Sequence, residues 1–125
     1  MLHSHPEQEP KFLQFEKLVK LRDEAAVQAG FALRKQAAEE GNKAIVNYVN
    51  VHLANFFSDV QNRYAFAIGF IQDALAELDA QTDYEAMGGY YISIGRNYSL
   101  LGDMNKCRDS YIKAISVLEK RELSQ

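Results

Sequence analysis

From Lys11 to Glu40 the apolar side chains return at steps of three, four or seven. The stripe is Phe12, Phe15, Val19, Ala26, Ala29 and Leu33, with Leu18, Leu21, Ala25 and Ala32 alongside. This is the period of a helix with one buried face. It predicts either one long helix or a pair that breaks near Leu21–Glu24. Gly41 ends the segment, because glycine adopts the left-handed conformation that closes a helix without steric penalty. Asn42 is the natural cap for the next helix. That second helix is predicted over Lys43 to Phe57, with Ile45, Val46, Val49, Leu53, Phe56 and Phe57 on its apolar face. The polar stretch Ser58–Arg63 reads as a turn, and a third helix covers Tyr64 to Ala80. Thr82-x-x-Glu85 fits a capping box that opens a fourth helix, which ends at Leu101 before Gly102. Asp103 caps a fifth, Met104 to Glu122. Residues 1–10 are polar, hold both prolines, and read as a disordered tail. The connections are short, so successive helices should lie antiparallel. The expected fold is all-α, with about five helices.

Composition narrows the function more than it names one. The chain has 125 residues, which is one domain's worth, expected to span 11–125. Fourteen Lys+Arg stand against seventeen Asp+Glu, for a formal charge of −3. That balance argues against nucleic acid, which calls for a basic face. Cys107 is the only cysteine, so no internal disulfide is possible and a reducing, cytoplasmic setting is expected. No apolar run approaches the roughly 18 residues of a membrane span. The first ten residues have no apolar core that would make a secretory signal.

The last two predicted helices carry a repeat pattern. Tyr91, Ile94, Gly95 and Tyr98 fall on the first, and Cys107, Tyr111 and Ala114 on the second, with Gly102-Asp103 between them. This resembles the tetratricopeptide repeat. Cys107 replaces the family's small alanine, and Glu119 stands where a proline usually comes. Small residues at 95, 107 and 114 would let the backbones approach, while the tyrosines fill the wedges. Leu53, Ala54 and Phe57 repeat the first motif 41 residues earlier, although Asn50 stands in the place of Tyr91. Ala67, Ile71 and Ala74 repeat the second motif 40 residues earlier, and Ala25, Ala29 and Ala32 lie 42 before those. A period near 40 is longer than the usual 34. It resembles the repeat domains of bacterial signalling proteins, which precede diguanylate cyclases or histidine kinases or serve as quorum-sensing peptide receptors.

The resemblance implies an α–α superhelix that binds a protein or peptide partner in a concave groove. In the 41-residue register, Arg96, Ser99 and Leu100 correspond to Asn55, Ser58 and Asp59. Asn47 lies two turns before Asn55. Asn47, Asn55, Ser58, Arg96 and Ser99 are therefore the candidate groove residues, since amides can pair with the backbone of an extended peptide. Catalytic chemistry finds little footing. No nucleophile–base spacing, phosphate loop or metal-binding motif occurs, so neither an enzyme nor a cofactor is expected. His3 and His5 are too few for zinc, and His52 reads as structural. Cys107 reads as a small packing residue. Some of Ile112, Ile115 and Leu118 leave surplus apolar surface at an uncapped end of the stack, while Ile115 or Leu118 is needed for the helix's own core. That surplus suggests a homodimer through the last helix or the first. Two alternatives stand beside the interaction module: a sensory or dimerisation fragment of a bacterial signalling protein, and a small helical enzyme or metal-binding bundle.

Overall fold

The structure, a computed structural model, describes residues 9–123. It is all-helical, and no strand occurs among the described residues. The elements are α1 (Glu9–Lys20), α2 (Ala25–Glu39), α3 (Lys43–Asp59), α4 (Tyr64–Ala76), α5 (Tyr84–Leu101) and α6 (Met104–Leu123). The described residues hold six helices rather than about five because the segment 11–40 takes the broken form, ending its first helix at Lys20. Residues 1–8 of the predicted tail, with both imidazoles of His3 and His5, lie outside the described residues. Glu9 and Pro10 open α1, where a proline costs no hydrogen bond.

One device closes three of these helices. Arg22 N–H donates to the Val19 carbonyl and Asp23 N–H to that of Leu18, both at 3.0 Å. Gly41 and Asn42 repeat the pair on Ala38 and Ala37, and Gly102 and Asp103 repeat it on Ser99 and Tyr98. Each closure needs a residue with positive φ. Gly41 and Gly102 supply it without strain, and Arg22 supplies it at φ 56° despite its side chain. The residue after each glycine then serves the next helix. Asn42 Oδ1 accepts from Ile45 N–H at 3.2 Å, and Asp103 Oδ1 from Lys106 N–H at 3.1 Å. These are the caps expected from the sequence. The Thr82 capping box does not form. Asp79 N–H donates to Asp83 Oδ2 at 2.8 Å, and Gln81 N–H to Asp79 Oδ1 at 2.8 Å. The two aspartates close the loop on itself, so α4 stops at Ala76 and α5 starts at Tyr84.

Contacts divide the chain into two compact units, one up to Phe56 and one from Phe57. In the first, α2 runs antiparallel to both α1 and α3. A Cβ on Gly30 would lie 2.7 Å from the Phe15 ring and 2.9 Å from Leu53, so only glycine lets the three helices meet there. Phe15, Leu33, Ile45, Val49 and Leu53 are fully buried around that point. Arg34 donates to Asn50 Oδ1 at 2.7 Å between α2 and α3.

The second unit holds α4, α5, α6 and the last turn of α3. Gly95 meets the Tyr111 ring, and Gly88 meets Leu118. Glu85 and Arg121 approach to 4.0 Å. Each contact steps forward on α5 as it steps back on α6, so the two helices are antiparallel. Ala67, Ile71, Tyr90, Ile94, Cys107 and Ala114 form the core. Phe57 takes Phe66 and Phe70 edge-on at 5.0 and 5.3 Å, and Arg63 stacks 3.8 Å over the exposed Phe66. Cys107 is buried, as its small-residue role requires.

Candidate functional site

The second unit carries an open cleft of about 320 Å³ between α4, α5 and α6. Gln72 and Leu75 come from α4, Tyr91, Ile94 and Tyr98 from α5, and Lys106, Asp109, Ser110 and Lys113 from α6. Helical spacing explains the set. Residues 91, 94 and 98 are separated by steps of three and four, as are 106, 109 and 113, so each triplet shares one face. The two faces look at one another because the helices pack closely through Gly88 and Gly95. Lys106 Nζ sits 5.5 Å from the Tyr98 ring centre, and Lys113 Nζ 5.9 Å from that of Tyr91. These are cation–π distances. The ammonium groups are thus held near aromatic faces while keeping hydrogen-bond donors for a ligand. Asp109 lies between them on α6. The cleft offers two cations, one carboxylate and two phenol rings over an apolar floor.

The residues singled out from the sequence fall differently. Asn47 and Asn55 lie in the first unit, half-buried on α3 two turns apart. Ser58, Arg96 and Ser99 lie in the second. Ser58 is fully buried, and its hydroxyl donates to Asn97 Oδ1. Its hydrogen-bonding capacity is thereby directed inward. Asn97 Nδ2 in turn donates to the Ser93 carbonyl at 2.9 Å. Arg96 reaches Asp59 at 2.6 Å, and both side chains are about two-fifths exposed. Ser99 is exposed on α5. Within the second unit, then, Ser58 and Arg96 join the end of α3 to α5, and neither lines the cleft. Sequence reasoning missed Lys106 and Lys113, whose seven-residue spacing on one helix face was the available signal. It assigned Tyr91 and Tyr98 to packing wedges, and both are half-buried at the cleft wall.

A second polar cluster lies in the first unit. The Tyr48 hydroxyl donates to Glu16 Oε2 at 2.6 Å, and the His52 ring stacks on Tyr48 with centres 4.1 Å apart. Burial, together with the bond to Glu16 and its charge, pushes the Tyr48 phenol up, so it stays protonated. Burial also pushes the His52 imidazole below its ordinary value, with the Glu16 charge acting the other way. This arrangement favours a neutral histidine tied into an α1–α3 contact.

Among the described residues, no group of three or more His, Cys, Asp or Glu could hold a metal ion. No helix there is long and apolar enough to cross a membrane. Comparison of the chain with protein-family models, characterised proteins and solved structures gives no match.

Proposed function

We propose that this chain is a non-catalytic, tetratricopeptide-like interaction module that holds a segment of another protein in the cleft of its second unit. The observation that carries this reading is the cleft itself: Lys106 and Lys113 set against Tyr98 and Tyr91 over Ile94 and Leu75. Lysines two turns apart stand about 10 Å from one another, the reach of three extended residues. A peptide with acidic residues at that spacing and an apolar residue between them suits such a surface. Support for the repeat comes from the element spacing. Helices α3 and α5 start at residues 43 and 84, and α2, α4 and α6 at 25, 64 and 104. That is a period of about 40, within the range of helical repeats. Action in the cytoplasm, without a cofactor, belongs to the same reading.

The experiment is capture from lysate on immobilised wild-type chain and on the Lys106→Glu/Lys113→Glu variant, whose changes fall at the surface. A protein retained by the wild type and lost by a variant with unchanged circular dichroism supports the cleft. Retention of the same proteins by both would overturn it. The runner-up, a sensory or dimerisation fragment of a bacterial signalling protein, is favoured by one observation, the unpartnered outer face of α6.

A further inference from the structure

Met104, Arg108, Ile112, Ile115, Glu119 and Leu123 are spaced along α6 at steps of four, four, three, four and four. The row reads the same from either end. At 3.6 residues per turn the six positions share an arc of about 100°. All six are exposed, and this is not the face that packs on α5, which carries Cys107, Ser110 and Ala114. Ile112 and Ile115, at the centre, are 56% and 59% exposed, and Met104 is 59% exposed. Four large apolar side chains in line on one helix, with water as their neighbour, mark a contact surface.

The charges say what covers it. We propose that α6 pairs antiparallel with the α6 of a second copy, across a two-fold axis between residues 113 and 114. In that arrangement Ile112 meets the Ile115 of the second copy, and Ile115 meets its Ile112. Arg108 comes to its Glu119, and Glu119 to its Arg108. The apolar ends, Met104 and Leu123, extend the row on both sides. One operation thus matches apolar with apolar and cation with anion at every step, as an isologous interface requires. Parallel pairing would set Arg108 against Arg108 and Glu119 against Glu119, which disfavours it. Within one chain Arg108 and Glu119 are eleven residues apart, about 16 Å along the helix, too far to pair with each other. The inference stands on residues outside the cleft, so it holds or fails independently of the binding reading above.

The test is sedimentation velocity on the full chain at tens of micromolar, with far-UV circular dichroism to confirm folding. The wild type should sediment as a dimer. Arg108→Glu should raise the dimer Kd about tenfold, because it turns two attractions into two repulsions, and Glu119→Arg should do the same. Both changes together restore opposite charges in exchanged places and should bring the Kd back to within about threefold of wild type. Ile112→Asp should give a folded monomer. A monomeric wild type overturns the pairing. A charge-exchanged double variant no tighter than either single overturns the antiparallel register.

Discussion

Gly95→Ala puts one methyl group into a close approach of α5 and α6. Its Cβ would lie 2.7 and 2.8 Å from Cε1 and Cδ1 of Tyr111, and 3.2 Å from the Cys107 carbonyl oxygen. Carbon atoms rest comfortably at about 3.5 Å or beyond, so the ring must retreat by nearly 1 Å. Tyr111 is 37% exposed and can swing part of the way. The Cys107 carbonyl belongs to the backbone of α6 and moves only if the helix does. Overpacking of this kind costs about 1–3 kcal/mol. Against it, alanine gains about 1 kcal/mol over glycine inside a helix. The expected result is a net loss of about 1 kcal/mol. Gly89→Ala, in the same helix, is the control, because a Cβ there meets nothing within 4 Å. It should gain up to about 1 kcal/mol. The two variants should therefore differ by about 2 kcal/mol, and each kcal/mol is worth about 3–6 °C in Tm at this chain length. Urea unfolding and thermal melts, tracked by far-UV circular dichroism, measure the difference. Equal stability of the two variants would refute the close α5–α6 contact at Gly95.

Buried polar groups give two further expected outcomes. Asn97→Ala removes a fully buried side chain together with its hydrogen bond to the Ser58 hydroxyl, so equilibrium unfolding should show a loss of about 1–3 kcal/mol, and adding Ser58→Ala should cost little more. His52 titrates below its ordinary value in the folded chain, chiefly through burial, so below about pH 6.5 the unfolded state binds more protons than the folded one. Its contribution to stability is full at neutral pH and is lost as pH falls from about 6.5 through the folded value. His52→Gln should flatten that fall in urea midpoints taken from about pH 8 to pH 5, and a parallel fall in both proteins would refute a desolvated imidazole.

The all-helical class and most helix ends were legible because they rest on local chemistry. Gly41, Asn42, Gly102 and Asp103 act through backbone groups within five residues, and local rules capture such contacts. The break after Lys20 is ambiguous in the sequence because Arg22 takes a conformation that its residue type does not advertise. The capping box at Thr82 fails for a related reason. Asp79 and Asp83 compete for the same loop, and two carboxylates near free N–H groups outweigh one hydroxyl. The site was less legible. Tyr90 and Tyr91 are adjacent, and only the packed helix tells which one is buried; it is Tyr90, while Tyr91 faces the cleft. Ser58 and Asn97 look like surface polar residues until α3 and α5 meet, and then each satisfies the other. A polar residue's role depends on a partner distant in sequence, whereas a helix cap depends on its neighbours.

Helix α6 compresses this difference into 20 residues. An amphipathic helix is usually read as two faces, one apolar and one solvated. Here the positions sort into three. Cys107 and Ala114 point to the core, Lys106, Asp109 and Lys113 to the cleft, and the row around Ile112 and Ile115 to neither. At 100° per residue the cleft positions and the outer row are centred about 120° apart. Pairing through the outer row would therefore leave the cleft of each copy open. Under the two proposals, the two-fold assembly carries two clefts on opposite ends of one antiparallel helix pair. A partner presenting its segment twice could occupy both, and the second engagement would be intramolecular. Avidity can then exceed the affinity of a single cleft by about a hundredfold without one new contact. A modest, open and polar cleft is well suited to that arrangement. Under these proposals weak individual engagement would keep exchange fast, and pairing through α6 would supply the strength.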